Sequence, residues 1–142
     1  MAVLNPYLNF NGNTEEAFNF YKSVFGGEYT ALMRFKEVPP EFQQNKDEAE
    51  KIMHVALPIG KGTILMGSDI PASMKQANFG NNLQIAISTE SEDEANRIFN
   101  GLSSDGKVSM PMDKTFWGAY FGMLTDKYGV HWMVSYDLNG QN

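Results

Sequence analysis

The alternation of apolar and polar residues changes period along the chain, and it does so twice in the same order. Residues 3–10 alternate, with Tyr7 and Asn9 on one side and Leu8 and Phe10 on the other, which is the period of a strand. Asn11 to Asn13 make a turn. From Thr14 the apolar residues fall at Ala17, Phe18, Tyr21, Val24 and Phe25, the three-and-four spacing of an amphipathic helix. Asn13 or Thr14 is its predicted N-cap, Glu15 and Glu16 stand in its first turn, and Gly26-Gly27 closes it.

Glu28 to Lys36 reads as a strand. The stretch EVPPEFQQNKDEAEK that follows is polar, carries a Pro-Pro pair and lacks a clean period, so a loop with a short helical turn is expected, mobile over 37–50 without ligand. Lys51 to Ile59 and Thr63 to Ser68 are then two strands around Gly60-Lys61-Gly62, where glycine supplies the positive backbone angles of a hairpin.

A loop rich in Pro, Ser, Gly and Asn runs from Asp69 to Asn82, and after it the pattern restarts. NLQIAIST is a strand, and SEDEANRIFNGLSSDG is a helix with Ser91 as N-cap and acids in its first turn. Strands follow near Lys107 to Met110, Ala119 to Thr125 and Val130 to Tyr136. The chain is therefore a tandem repeat of one βαβββ unit, an α+β domain over 1–142 built of modules at about 1–70 and 80–138. The halves superpose with Tyr7-Leu8-Asn9-Phe10 on Gln84-Ile85-Ala86-Ile87, and Gly62 to Met66 on Gly129 to Met133. Two such mixed sheets, each covered by its helix on one face, are expected to curl around a shared cleft.

Composition narrows the function. A net charge of -6 argues against nucleic acid or an anionic membrane as partner, since both need clustered Lys and Arg. The absence of cysteine excludes disulfides, thiolate metal sites and a cysteine nucleophile. MAVLNPYLNF lacks the basic and long apolar segments of a secretory signal, and no window is apolar enough to span a bilayer, so a cytoplasmic protein is expected.

Three stretches together resemble a known family: NPYLNFNGNTEEAFNFYKSVFGGE, MHVALPIGKGTILMGSD and WGAYFGMLTDKYGVHW. They are similar to the vicinal oxygen chelate superfamily of glyoxalase I, bleomycin-resistance proteins and extradiol dioxygenases, and most of all to its PhnB-like branch. Members of that branch have carried the label of a demethylubiquinone methyltransferase. The chain lacks what a methyltransferase using S-adenosylmethionine would usually show, a glycine-rich loop after a first parallel strand, because GNTEEAF is a helix start.

The resemblance implies a homodimer with a small-molecule cleft. In catalytic relatives one inward side chain on the first and last strand of each half supplies His, Gln or Glu to a divalent ion. The corresponding positions here are Tyr7, Met66, Gln84 and Met133, of which only Gln84 is a ligand type that the family uses. Two thioethers, a phenol and an amide suit zinc, nickel, manganese or iron poorly, so no such metal and no cofactor is expected.

Other candidates carry two meanings. His54 and His131 are either hydrogen-bonded strand residues or polar groups facing the cleft, with His54 the better cleft candidate. The acids of both first helical turns read as capping charges, and Asp69 as a turn cap at the cleft border. The aromatic set from Phe116 to Tyr136 either lines a pocket or forms core and interface. The expected cleft is Tyr7, His54, Met66, Gln84, Trp117, Tyr120 and Met133, in a binding module or an enzyme of unassigned activity. A metal-dependent lyase or dioxygenase, with His54 or His131 joining Gln84 and Asp69, and a bleomycin-resistance-like sequestering protein are the alternatives.

Overall fold

The structure, a computed structural model, describes residues 1–42 and 46–139. It divides into two compact units, Met1–Asn78 and Phe79–Asn142. Each unit is a four-stranded sheet with one helix packed on it.

In the first unit the elements are β1 (Tyr7–Phe10), α1 (Thr14–Phe25), β2 (Ala31–Arg34), β3 (Ile52–Ile59) and β4 (Thr63–Asp69). The sheet order is β1-β4-β3-β2, with β1 parallel to β4 and the remaining pairs antiparallel. The α1 face of the sheet holds Phe10, Val55, Leu57 and Leu65, all essentially sealed from solvent with Ala17, Phe18 and Tyr21 of the helix. Gly67 is required there: a Cβ on it would lie 2.6 Å from Cε1 of Phe18 and 2.9 Å from the Leu8 carbonyl oxygen.

Asn13 is the N-cap position of α1, as expected, but the capping acceptor comes from elsewhere. The Asn13 side chain makes no capping bond. Asp69 does that work from the end of β4: Oδ1 accepts from the N–H groups of Gly12 and Thr14 at 3.0 Å each and from the Thr14 hydroxyl at 2.7 Å, and Oδ2 accepts from the Ile52 N–H at 2.8 Å. One buried carboxylate thus ties the β1–α1 turn to β3.

The segment expected as a polar loop holds three short 3₁₀ turns, Phe35–Glu37, Pro40–Phe42 and Lys46–Glu48, while its tip at 43–45 lies outside the described residues. Its flanks are anchored. Buried Glu48 accepts from the Ala72 N–H at 2.6 Å, and Arg34 grips both carboxylate oxygens of Glu15 at 2.9 and 2.7 Å while donating to the Glu50 carbonyl at 2.8 Å. The Arg34 hydrogen bonds, then its charge, hold the Glu15 carboxyl below 4.5.

In the second unit the elements are β5 (Ile85–Thr89), α2 (Glu92–Ser103), β6 (Lys107–Lys114), β7 (Ala119–Thr125) and β8 (His131–Asp137). The order β5-β8-β7-β6, with β5 parallel to β8, repeats the topology of the first sheet. Ser91 caps α2 as expected, accepting from the Glu94 N–H at 3.0 Å, and Glu94 returns by accepting from the Glu90 N–H at 2.9 Å. Ala95, Ile98, Phe99 and Leu102 pack on the face that holds Leu124, Trp132 and Val134. Among the described residues no helix is long and apolar enough to cross a membrane.

Candidate functional site

Strand alternation sends a second set of side chains to the face turned away from each helix. In the first unit that set contains Tyr7, His54 and Met66. Tyr7 and Met66 are parallel register partners, and Met66 pairs on its other side with Ala56, two residues along β3 from His54. The Tyr7 ring reaches over β4 to stack on the His54 imidazole, with centroids 5.8 Å apart and planes 29° apart, and its hydroxyl stands 3.4 Å from Nδ1. Met33 is the cross-strand partner of His54, so a phenol, an imidazole and two thioethers share this surface. Tyr7 is exposed and His54 and Met66 are half-buried.

The second unit brings Met133 to the corresponding face, where its parallel partner is Ala86. The residue that stands to Met133 as Tyr7 stands to Met66 is therefore Ala86, two positions beyond Gln84. Gln84 lies one residue before β5 begins and is exposed, which corrects the superposition of the two halves drawn from sequence.

Tyr120 lies on the opposite face. It pairs with Tyr136 next to the Gly122–Val134 pair that underlies α2, and its hydroxyl donates to Oδ1 of Asn96 on that helix at 2.7 Å. Trp117, in the turn between β6 and β7, is half exposed, with Phe116 edge-on at 5.0 Å and Phe121 at 5.8 Å. These rings, with Met110, Pro111, Asp113, Lys114 and Thr115, surround a concavity of about 420 Å³ within the second unit.

The remaining polar candidates have structural partners. His131 Nε2 donates to the Gly80 carbonyl at 2.8 Å, which leaves Nδ1 of the neutral ring to accept from the Thr125 hydroxyl at 2.7 Å. Both ring nitrogens are thereby occupied. Asp126, which sequence analysis did not single out, is buried and accepts from the Tyr128 and Val130 N–H groups and from the Trp132 indole.

Tyr7 and Met66 in the first unit, and Ala86 and Met133 in the second, stand where the family resemblance led a metal ligand to be sought, and none of them is a carboxylate or an imidazole. Among the described residues no group of three or more His, Asp or Glu side chains is placed to hold an ion. That donor set does not fit a hard or borderline divalent ion.

Two four-stranded mixed sheets, each with one helix, define a glyoxalase-like α+β protein. The same fold, at 13% identity and a TM-score of 0.60, is seen in a glyoxalase/bleomycin resistance protein/dioxygenase family enzyme from Burkholderia phytofirmans PsJN, over 93% of this chain and 97% of that one. The family described as 3-demethylubiquinone-9 3-methyltransferase matches residues 2–135, and the chain belongs to this PhnB-like family.

Protein PA1353 from Pseudomonas aeruginosa is 39% identical, with a TM-score of 0.85 over 96% of this chain and 98% of that one. The PhnB protein from Bacillus cereus is 28% identical, with a TM-score of 0.75 over 95% and 99%. Protein YjdN of Escherichia coli (strain K12) is 29% identical over 93% of each chain. In this chain the Gly12 and Thr14 N–H groups that follow β1 donate to Asp69.

Proposed function

We propose that this PhnB-like protein binds a small amphipathic molecule, without a divalent ion of the glyoxalase kind, and that Trp117 is its principal contact. The concavity at Trp117 carries the proposal. Its volume of about 420 Å³ falls among those of small-molecule sites. Aromatic and apolar walls from Phe116, Trp117, Phe121 and Met110 would take a hydrophobic body, and Asp113, Lys114 and Thr115 would orient a polar group. Tyr7 and His54 are the polar groups that the first unit offers a ligand.

Among the described residues no three His, Asp or Glu side chains gather as a metal-dependent lyase would need, whereas sequestration in the manner of bleomycin resistance would use the same aromatic walls. A cytoplasmic homodimer belongs to the proposal too. Phe116 is 98% exposed and Val108 43%, separate apolar side chains of the kind that association covers. Sedimentation of the purified protein tests the dimer.

Binding is tested by a thermal-shift screen of aromatic and heteroaromatic small molecules against the wild-type protein and the Trp117→Ala variant. The proposal expects stabilisation of the wild type that disappears in Trp117→Ala, and is overturned if compounds stabilise both proteins equally.

A further inference from the structure

The second sheet carries a row of thioethers that the core does not explain, and of which Met110 alone also borders the aromatic concavity. Met110 on β6 pairs with Met123 on β7, Met123 pairs with Met133 on β8, and Met133 pairs with Ala86 on β5. Cross-strand partners in register project to one face with Cβ atoms about 5 Å apart, so the Cβ atoms of the three methionines lie along a line of roughly 10 Å. Register shifts flank the Met110–Met123 pair, between Val108 and Met110 and between Met110 and Asp113; beyond the second, Asp113 pairs with Phe121, and Met112 turns to the α2 face, where its sulfur would lie 2.7 Å from a Cβ on Gly122.

None of the three is a core side chain. Met110 is 42% exposed, and Met123 and Met133 are half-buried. Unbranched methionine chains are flexible enough for the outer two to lean over the central one. At the far end of the row Ala86 projects only a methyl group and leaves the space above it open.

We propose that Met110, Met123 and Met133 form a three-sulfur site for a soft monovalent d¹⁰ cation of the copper(I) class. Thioethers are neutral, polarisable donors that select copper(I) over zinc, magnesium or calcium. The neighbouring row adds no competing imidazole, because both nitrogens of His131 are committed to Gly80 and Thr125. A single positive charge retained on the bound ion suits a chain of net charge -6. This proposal goes beyond ligand binding at Trp117 and does not depend on it.

The test is titration of the full-length protein, labelled with ¹³C at the methionine ε-methyl groups, with silver(I) as an air-stable probe of the same softness. The expected result is uptake of one ion per chain that shifts the methyl resonances of Met110, Met123 and Met133 and leaves those of Met33, Met66 and Met74 in place. Met123→Leu, close in volume, should weaken binding at least tenfold, and Met110→Leu on the exposed edge strand should do the same without risk to the fold. Trp117→Ala should bind silver as the wild type does, which separates this site from the organic ligand. Shifts centred on Met33, Met66 and His54, or a Met110→Leu/Met123→Leu/Met133→Leu protein that binds as tightly as the wild type, would overturn the proposal.

Discussion

The Trp132 indole donates through Nε1 to Oδ2 of Asp126 at 2.8 Å, with both side chains almost wholly buried. The other oxygen of Asp126 accepts from Tyr128 N–H at 2.8 Å and Val130 N–H at 3.1 Å, so one carboxylate shapes the β7–β8 turn and fixes the largest core side chain. Asp126→Ala removes the carboxylate that accepts from three donors, and a loss of about 3 kcal/mol is expected after relaxation. Urea denaturation measures it.

Asp69 is predicted to be a structural clamp in the first unit. Asp69→Asn preserves shape but replaces an acceptor with an NH₂ group facing backbone donors, and should lower stability by about 2–4 kcal/mol. Aromatic ligands should still bind the folded fraction, which a titration at low temperature would reveal.

Tyr120 separates fold from site in the same way. Tyr120→Phe removes the bond to Asn96 and should cost about 1 kcal/mol, with no effect on the compounds that Trp117→Ala abolishes. Equal loss of binding in both variants would place Tyr120 in the site after all.

The Glu15–Arg34 pair should impart a pH dependence. Arg34 lowers the folded-state pKa of Glu15, so the pair's contribution is present above 4.5 and is lost as pH falls through the depressed value. Because the Glu15 side chain is 46% exposed, screening limits that contribution to about 0.5 kcal/mol. Glu15→Gln should therefore be less stable than the wild type at neutral pH and indistinguishable from it in acid below the folded-state pKa, as measured by paired denaturant titrations.

The repeat, both helices and most strand cores were legible because hydrophobic period reports burial directly. The expected strand Ala119–Thr125 coincides with β7, and Ser91 caps α2 as its sequence context implied. What stayed hidden depends on register and phase. Gln84 was set against Tyr7 by similarity of pattern, yet pairing with β8 puts Ala86 there, and a strand's partner is chosen across the sheet rather than along the chain. Tyr120 fell on the α2 face because the turn at Thr115–Gly118, where the Thr115 hydroxyl donates to the Ala119 carbonyl, sets the phase of β7. β6 runs past the expected end near Met110, through Pro111 to Lys114, because Pro is tolerated on this exposed edge strand beside a bulge. Asp126 was missed because its partners are two backbone N–H groups and an indole, and no local pattern marks them.

The chain has two tryptophans, Trp117 half exposed in the candidate site and Trp132 buried on Asp126, so their indole N–H resonances report site and core separately. The most direct test is a two-dimensional ¹H–¹⁵N titration with the compounds that stabilise the wild-type protein. The account predicts a saturable shift of the Trp117 indole with Trp132 unmoved. Stabilising compounds that leave Trp117 unshifted, or that move Trp132 instead, would contradict it.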